Sequence, residues 1–473
     1  MTRPFVIHAF GPFLAFLVWR LALWWLPDAS ALVLGMTTWM VTWWLQGKVP
    51  MAVVALLPLV VFPMLGVMSM KETAAPYGDP IVFLFLGGFL LGTALEKWQL
   101  HRRIALHILR WSGHQSSQIV LGFIVATALL SMWISNTATA MMMWPIAMSI
   151  IALLEKESGK SAAVLSKSLM LSVAYASSIG GMGTLIGTPP NTVMRGIVQQ
   201  MTGYEIGFMD WMLLAMPLVL ILLFLLYVLV TRICLQPEKL EGDVAKVVET
   251  EIEKLGPVST AEKRVMGIFL VTALCWMFRA LLNEILPVAL DDTGIAIMAG
   301  VAMFLMPSGM EKGKPLLQWD DAQKVSWGII LLFGGGLSLA KGMEVSGLVG
   351  ILGQTMADWS AGQVGFLVIL FVVLGIFLTE VMSNVAMVNV LLPVVIALGL
   401  SLKTDVLQFA IPLTLASSCA FMLPMATPPN AVVFASGKLQ IKDMMRVGLW
   451  LNLLAVLCIL AWWWTLGEWV FKV

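Results

Sequence analysis

The 473-residue sequence predicts an all-α polytopic membrane protein: eleven transmembrane helices plus two re-entrant helical hairpins, laid out as an inverted repeat. Three observations point there. Hydrophobic residues make up 60% of the chain and charged ones 12%, which excludes a soluble globular domain. Apolar stretches long enough to cross a bilayer as helix recur from one end to the other. A Ser-Asn pair and a Thr-Pro-Pro-Asn run each occur twice, in the same order in both halves.

In chain order, apolar runs at 10–27, 29–46, 51–69 and 80–97 are the first four spans. Runs at 164–194 and 207–231 follow, then 264–284, 286–306 and 326–343, and finally 406–436 and 444–467. Two further apolar pairs, 117–154 and 362–400, hold the Ser-Asn pairs near their middles, and each can be two spans or one re-entrant hairpin. A polar pair at mid-segment suits a turn at membrane depth better than a helix facing lipid, which favours hairpins. With both as hairpins and the N-terminus cytoplasmic, most of the 28 Lys and Arg, including Arg102, Arg103, Arg110, Lys167, Lys254 and Arg264, fall inside. Lys71, Arg195, Arg279, Lys341, Lys403 and Lys472 fall on the other side. This bias places the N-terminus inside and the C-terminus on the opposite side of an inner (cytoplasmic) membrane. Two full crossings per hairpin would give the same outer topology, so charge fixes orientation and not re-entrance.

The first apolar run lacks a small-residue cleavage site and ends in Pro27 and Asp28, so the first span is expected to stay. Cys234, Cys275, Cys419 and Cys458 show no paired spacing, which argues against a disulfide framework or a thiolate metal site. Trp24, Trp25, Trp43, Trp44, Trp462, Trp463, Trp464 and Trp469 cluster at span ends and read as an aromatic belt. The one long polar stretch, 236–263, carries mixed charge (Glu238, Lys239, Glu241, Asp243, Lys246, Glu249, Glu251, Glu253, Lys254) and reads as a cytoplasmic linker without chemistry.

Gly87 matches Gly335, Glu96 matches Glu344 and Ser135 matches Ser383, all at an offset of 248. Farther on, "SSIGGMGTLIGTPPNTV" from Ser177 resembles "SSCAFMLPMATPPNAVV" from Ser417, with Asn191 and Asn430 offset by 239. One offset held by three landmarks marks an internal repeat. Five crossings separate Glu96 from Glu344, an odd number, so the copies are inverted. Inverted repeats with interrupted helices are the layout of secondary transporters that bind substrate near the midplane.

Each Thr-Pro-Pro-Asn must break its helix, because proline lacks a backbone donor, clashes with the preceding turn and biases its predecessor away from helical angles. Carbonyls freed near Gly187 and Ala426 can ligate a small hard cation, while freed N–H groups and positive helix ends favour an anion. The Ser-Asn turns add hydroxyl and amide oxygens for a cation and donors for a carboxylate. None of these ligands is charged, which suits sodium better than calcium or magnesium. Helix caps and kinks in a large bundle would explain one such break as readily as a site does, but not four in equivalent places. Glu380, three residues before Ser383, has two roles open to it, proton coupling or fixing the hairpin by hydrogen bonds. Glu96 and Glu344, near span ends, are expected to organise structure.

At these residues the chain resembles the divalent anion:sodium symporters, a family carrying dicarboxylates, citrate or sulfate. The resemblance spans essentially the whole sequence, through "FLGGFLLGTALEKWQLHRRIAL" from Phe85, "SMWISNTATA" from Ser131, "GTPPNT" from Gly187, "LTEVMSNVA" from Leu378 and "ATPPNA" from Ala426. It implies that one sodium is held by Ser131, Ser135, Asn136 and the Gly187 backbone, and a second by Thr379, the Met382 carbonyl, Asn384 and the Ala426 backbone. Each half-site pairs a hairpin tip with the broken helix of its own repeat. Substrate carboxylates would meet Ser135, Asn136, Thr137, Thr188, Pro189, Ser383, Asn384, Val385, Thr427 and Pro428. The resemblance also implies a homodimer working as an elevator, with scaffold regions 1–112 and 264–360 and a transport domain built from 113–231 and 361–473, the two halves joined by the linker at 232–263. Two departures stand out: Val385 occupies a place where the second motif often has Thr, and "WWLQGKVP" lacks the Thr-Glu that commonly precedes that proline.

The function expected from the whole is import of a four-carbon dicarboxylate (succinate, malate or fumarate) coupled to sodium ions, with no nucleic-acid partner and no enzymatic activity. Sodium would bind first and make the site positive enough for a dianion. A sodium-independent exchanger of dicarboxylate or citrate is the nearest competitor, followed by a sulfate or tricarboxylate symporter. A channel would need a continuous polar pathway, and an intramembrane hydrolase would need a nucleophile with a base or an H-E-x-x-H pair. His8, His101, His107 and His114 supply neither; all lie at or near the expected cytoplasmic edge.

Overall fold

The computed structural model describes residues 4–113, 115–158, 162–237, 244–310 and 313–467. His114, the linker residues Glu238, Lys239, Glu241 and Asp243, and the terminal Trp469 and Lys472 lie outside the described residues. The chain opens with α1 (Pro4–Ala22), α2 (Asp28–Gln46), α3 (Met51–Val54), α4 (Leu57–Met64), α5 (Met70–Ala74), α6 (Pro80–Lys97) and α7 (Leu100–Trp111). A first hairpin, α8 (Ser116–Ser131) and α9 (Asn136–Ser158), leads to α10 (Ala163–Gly181), α11 (Pro189–Thr202), α12 (Phe208–Val228) and α13 (Val244–Leu255). The second half holds α14 (Thr260–Met277), α15 (Arg279–Ile285), α16 (Asp292–Leu305), α17 (Trp319–Ala322), α18 (Trp327–Val345) and α19 (Leu348–Trp359). It ends with a second hairpin, α20 (Val364–Leu378) and α21 (Asn384–Ser401), then α22 (Leu407–Ser417), α23 (Pro428–Phe434) and α24 (Ile441–Trp462).

Among the described residues, seven helices are long and apolar enough to cross a membrane, or nine if each of two bent pairs counts once. Fewer than the eleven expected runs qualify because those at 10–27, 51–69, 286–306 and 406–436 hold only the shorter helices His8–Ala22, Met51–Met64, Asp292–Leu305 and Leu407–Ser417. The runs at 164–194 and 406–436 are each cut at the Thr-Pro-Pro-Asn, where Thr188 (φ −141°, ψ 140°) and Thr427 (φ −138°, ψ 151°) are extended and a proline starts the next helix. The run at 264–284 bends by 83° between α14 and α15. Of the tryptophans expected in an aromatic belt, Trp24, Trp25 and Trp464 are exposed, whereas Trp44, Trp462 and Trp463 are packed inside.

The repeat extends beyond its sequence landmarks. The offset of 248 relates the first residues of α7 and α19, of α8 and α20, and of α9 and α21, and 239 relates those of α11 and α23. The elbows into α7 and α19 also match: Gln99 (φ 53°) and Gly347 (φ 76°), again 248 apart, both take the left-handed conformation that the bend needs. Contacts show the inversion directly. The C-terminal end of α6 lies beside the approach to α18, with Lys97 2.6 Å from Asp321 and Trp98 donating to the Leu316 carbonyl at 3.0 Å. Ser338, well along α18, reaches back to the Thr73 carbonyl ahead of α6 at 3.0 Å. The repeat-related Phe85 and Phe333 pack edge to face at 4.7 Å, which places them on the pseudo-two-fold axis.

The linker is not featureless. Its helix α13 docks on α7 through ion pairs from Arg102 to Glu251 and Arg110 to Glu249. Lys254 first, and then Arg102, hold the Glu251 carboxyl below the usual carboxylate range by hydrogen bonding to it.

Candidate functional site

The first hairpin turn brings four polar groups together. The Ser131 hydroxyl donates to the Ser177 carbonyl at 2.6 Å and lies 2.6 Å from the Asn136 amide. The amide atom of Asn136 that faces this cluster sits 3.1 Å from the Ser177 carbonyl and 3.2 Å from the Gly187 carbonyl. The three groups around it all accept hydrogen bonds, so the atom facing them is the amide nitrogen, which donates to the Ser177 and Gly187 carbonyls and to the Ser131 hydroxyl. Glycine is required beside it, because a Cβ on Gly181 would fall 2.5 Å from the Asn136 amide.

The second turn repeats the pattern. The Thr379 hydroxyl lies 2.7 Å from Asn384 Oδ1 and 2.8 Å from the Ser417 carbonyl. The structure therefore brings Ser131, Asn136 and Gly187 together in one half and Thr379 with Asn384 in the other. Ser135 instead caps its own helix by accepting from the Ala138 N–H at 3.1 Å, and Ala426 is buried at the second break.

Two features were missed in the sequence. The carbonyls of Ser177 and Ser417 close the two clusters, and the aligned "SSIGG" and "SSCAF" runs held that signal. Asn191 and Asn430 stitch the unwound strands: Asn191 donates to the Gly181, Met182 and Thr184 carbonyls, and Asn430 to those of Ala420 and Leu423. Glu380 accepts from the backbone N–H groups of Phe421, Met422 and Leu423 and from Asn452 Nδ2, at 2.7 to 3.0 Å. Of the two roles open to Glu380, that geometry matches fixing the hairpin to the broken helix.

A cavity of about 580 Å³ runs from the first hairpin tip, at Ser135 and Thr137, to Glu96, His101, Lys324 and Ser326. Ile186, at the break, lines it too, but Ser383, Asn384, Val385, Thr427 and Pro428 do not. Thr188 and Thr427 are buried, Pro189 half-buried and Pro428 exposed. Glu344, the repeat partner of Glu96, pairs with Lys341 at 3.0 Å. Among the described residues no group of three or more His, Cys, Asp or Glu could hold a metal ion, and the four cysteines are free.

Residues 14–470 match the family model described as the sodium:sulfate symporter transmembrane region. The chain is 38% identical over 447 residues to the sodium-dependent dicarboxylate transporter SdcS of Staphylococcus saprophyticus, covering 92% of this chain and 85% of that protein. It is equally similar, over 444 residues with the same coverage, to the protein of that name from Staphylococcus aureus. Among solved structures, the YdaH transporter of Alcanivorax borkumensis superposes with a TM-score of 0.62 at 14% identity, over 92% of this chain and 99% of that one. MtrF of Neisseria gonorrhoeae does so with 0.59 at 13%, over 85% and 84%. Those two share the fold. With the family model matched almost end to end and the relatives 38% identical over 92% of this chain, the chain belongs to the sodium:sulfate symporter family, the divalent anion:sodium symporters.

Proposed function

We propose that this multi-pass membrane protein imports four-carbon dicarboxylates such as succinate, malate or fumarate across the inner membrane together with sodium ions. The observation that carries the reading is the cluster of neutral polar groups formed by Asn136, Ser131 and the Ser177 and Gly187 carbonyls, matched by Thr379, Asn384 and the Ser417 carbonyl. Neutral oxygens alone offer a dianion nothing, whereas two sodium ions bound between them turn each hairpin tip into a positive face. The named relatives, sodium-dependent dicarboxylate transporters over most of their length, support both halves of the reading.

In this reading Ser131, Ser135, Asn136 and Gly187 hold one sodium, and Thr379, Met382, Asn384 and Ala426 the other. The carboxylates meet Ser135, Asn136 and Thr137 at one tip and Ser383, Asn384 and Val385 at the other, flanked by Thr188, Pro189, Thr427 and Pro428. With the N-terminus cytoplasmic, the cavity at Lys324 and His101 faces the cytoplasm, and the protein is inward-open. Residues 113–231 and 361–473 then move as one transport domain against a scaffold of 1–112 and 264–360, in a homodimer. The test is uptake of radiolabelled succinate into proteoliposomes, with an inward sodium gradient or with choline in its place. Accumulation above equilibrium only with sodium supports symport. Flux that ignores sodium and requires dicarboxylate on the far side would instead establish exchange.

A further inference from the structure

We propose that Arg195 and Asp292 form a latch between the two domains that holds the protein in the state seen here, open at Lys324. The proposal rests on the reading that the hairpins and broken helices move against the remaining helices. Arg195 lies on α11, in the moving part, and Asp292 in the first turn of α16, in the static part. Their side chains are 4% and 0% exposed, and Nη1 of Arg195 stands 3.2 Å from Oδ2 of Asp292.

The contact is a four-membered ionic cluster with members from both parts. Arg195 Nη2 also meets Glu205 at 2.7 Å, and Arg279, just after α14, stands 3.2 Å from both Glu205 and Asp292. The Phe208 N–H, at the start of α12, donates to Asp292 at 3.2 Å. Two arginines against two carboxylates leave the cluster neutral, so it can be buried as a unit, though neither side can be buried without the other. Moving α11 and α12 along α14 and α16 must separate Arg195, Glu205 and Phe208 from Arg279 and Asp292.

The physics suits a latch and not a weld. A buried ion pair roughly breaks even against hydration when both partners return to water together, while losing one partner leaves the other stranded. A pair that parts as the domains slide is rehydrated on both sides. Its contribution is a modest bias on the equilibrium, which is what a transporter crossing between states tolerates.

An aromatic stack ties this cluster to the candidate ion site. Trp133, two residues before Ser135 in the first hairpin turn, stacks with Phe208 and with Trp276 of α14, at 6.1 and 6.4 Å. Phe208 and Trp276 stack on each other at 4.6 Å, and Trp276 Nε1 donates to the Asp292 carbonyl at 3.0 Å. Ordering the hairpin tip therefore acts on residues in direct contact with Asp292.

The test uses Met142→Cys, which lines the cavity on α9, labelled by a membrane-impermeant maleimide in inside-out vesicles, with the unmutated chain as the control for native cysteines. Arg195→Gln is expected to slow labelling by roughly threefold through a population shift toward the other state. Arg195→Lys, which keeps a cation facing Asp292 and Glu205, is expected to slow labelling less than Arg195→Gln does. Should the buried variants fail to fold, Arg279→Gln and Glu205→Gln act on the exposed members of the cluster and should shift labelling the same way by less. Unchanged labelling in folded variants overturns the latch alone, provided that sodium with succinate still alters labelling of Met142→Cys in the otherwise unmutated chain. If that chain does not respond either, the moving-domain reading fails and the latch with it.

Discussion

Position 132 in the first hairpin turn is methionine, and its repeat partner in the second, position 380, is glutamate. In the first half, Thr184 of the broken helix donates its hydroxyl to the Met132 carbonyl and accepts the Gly187 N–H at 3.0 Å. In the second, Glu380 reaches out of the turn and takes three consecutive backbone N–H groups of the broken strand plus Asn452 of α24. The same joint is thus fastened by one neutral hydroxyl on one side and by a fully coordinated carboxylate on the other. Charge-assisted bonds are about twice as strong as neutral ones, and a satisfied buried network rigidifies what it joins. The inverted repeat preserves the oxygen cluster in both halves but not its fastening: the softer joint carries the tip that lines the cavity.

The comparison is broken most severely at Glu380. In Glu380→Gln the amide cannot accept from four donors, and each buried donor left unpaired costs about 1–3 kcal/mol. We expect uptake at background and a large fall in the unfolding midpoint of the solubilised protein. Thr184→Ala, which leaves one buried donor, the Gly187 N–H, unpaired where Glu380→Gln leaves several, should cost about 1–3 kcal/mol and leave measurable uptake. Equal losses in the two variants would show that the fastening difference has no energetic consequence.

Next in size are the clusters themselves. Asn136→Ala and Asn384→Ala each remove an amide oxygen from a proposed sodium site, and the half-saturating sodium concentration should rise about tenfold in either, equivalent to about 1.4 kcal/mol. A rise in one variant only, measured as sodium dependence of succinate uptake, would mean that only one half binds the ion. Ser131→Ala and Thr379→Val should show a smaller rise, because a carbonyl and the asparagine remain. Thr379→Ser, which keeps the hydroxyl bonded to Asn384 and Ser417, should stay close to the parent protein.

What could be read in advance follows from what leaves a trace in side-chain identity. Ser131, Asn136, Thr379 and Asn384 were legible because polar residues in apolar sequence are conspicuous, and the breaks because proline dictates them. The carbonyls of Ser177 and Ser417 were harder to see, since a backbone ligand has no residue type and only the repeat alignment marked their place. The elbow at Gln99 escaped notice because glutamine carries no left-handed signature, although its partner Gly347 does. Arg195 counted only as a charge on the far side and Asp292, inside the run at 286–306, was not singled out, for pairing between α11 and α16 depends on how distant helices pack. Glu380 was conspicuous, yet its partners are backbone groups 41 to 43 residues away that become donors only where the helix unwinds.

The smallest expected effect sits one turn farther along each hairpin. Met141 of the first is 56% exposed and lines the cavity, whereas its repeat partner Asn389 is fully buried against α18, where a Cβ on Gly336 would fall 2.0 Å from its Oδ1. Neither atom of the Asn389 amide has a hydrogen-bond partner among the described residues, unlike Asn191, whose amide nitrogen faces three carbonyls. Truncating a buried asparagine ordinarily destabilises because its partners are stranded. At position 389 nothing is stranded, and the relief of an unpaired amide offsets the small void left behind. Asn389→Ala should therefore keep the unfolding free energy within about 1 kcal/mol of the parent, while Asn191→Ala falls well below it. A loss at 389 as large as at 191 would mean that the second hairpin is bonded to α18 as firmly as the broken helix is to itself. In that case the surface between them could not be the one that slides.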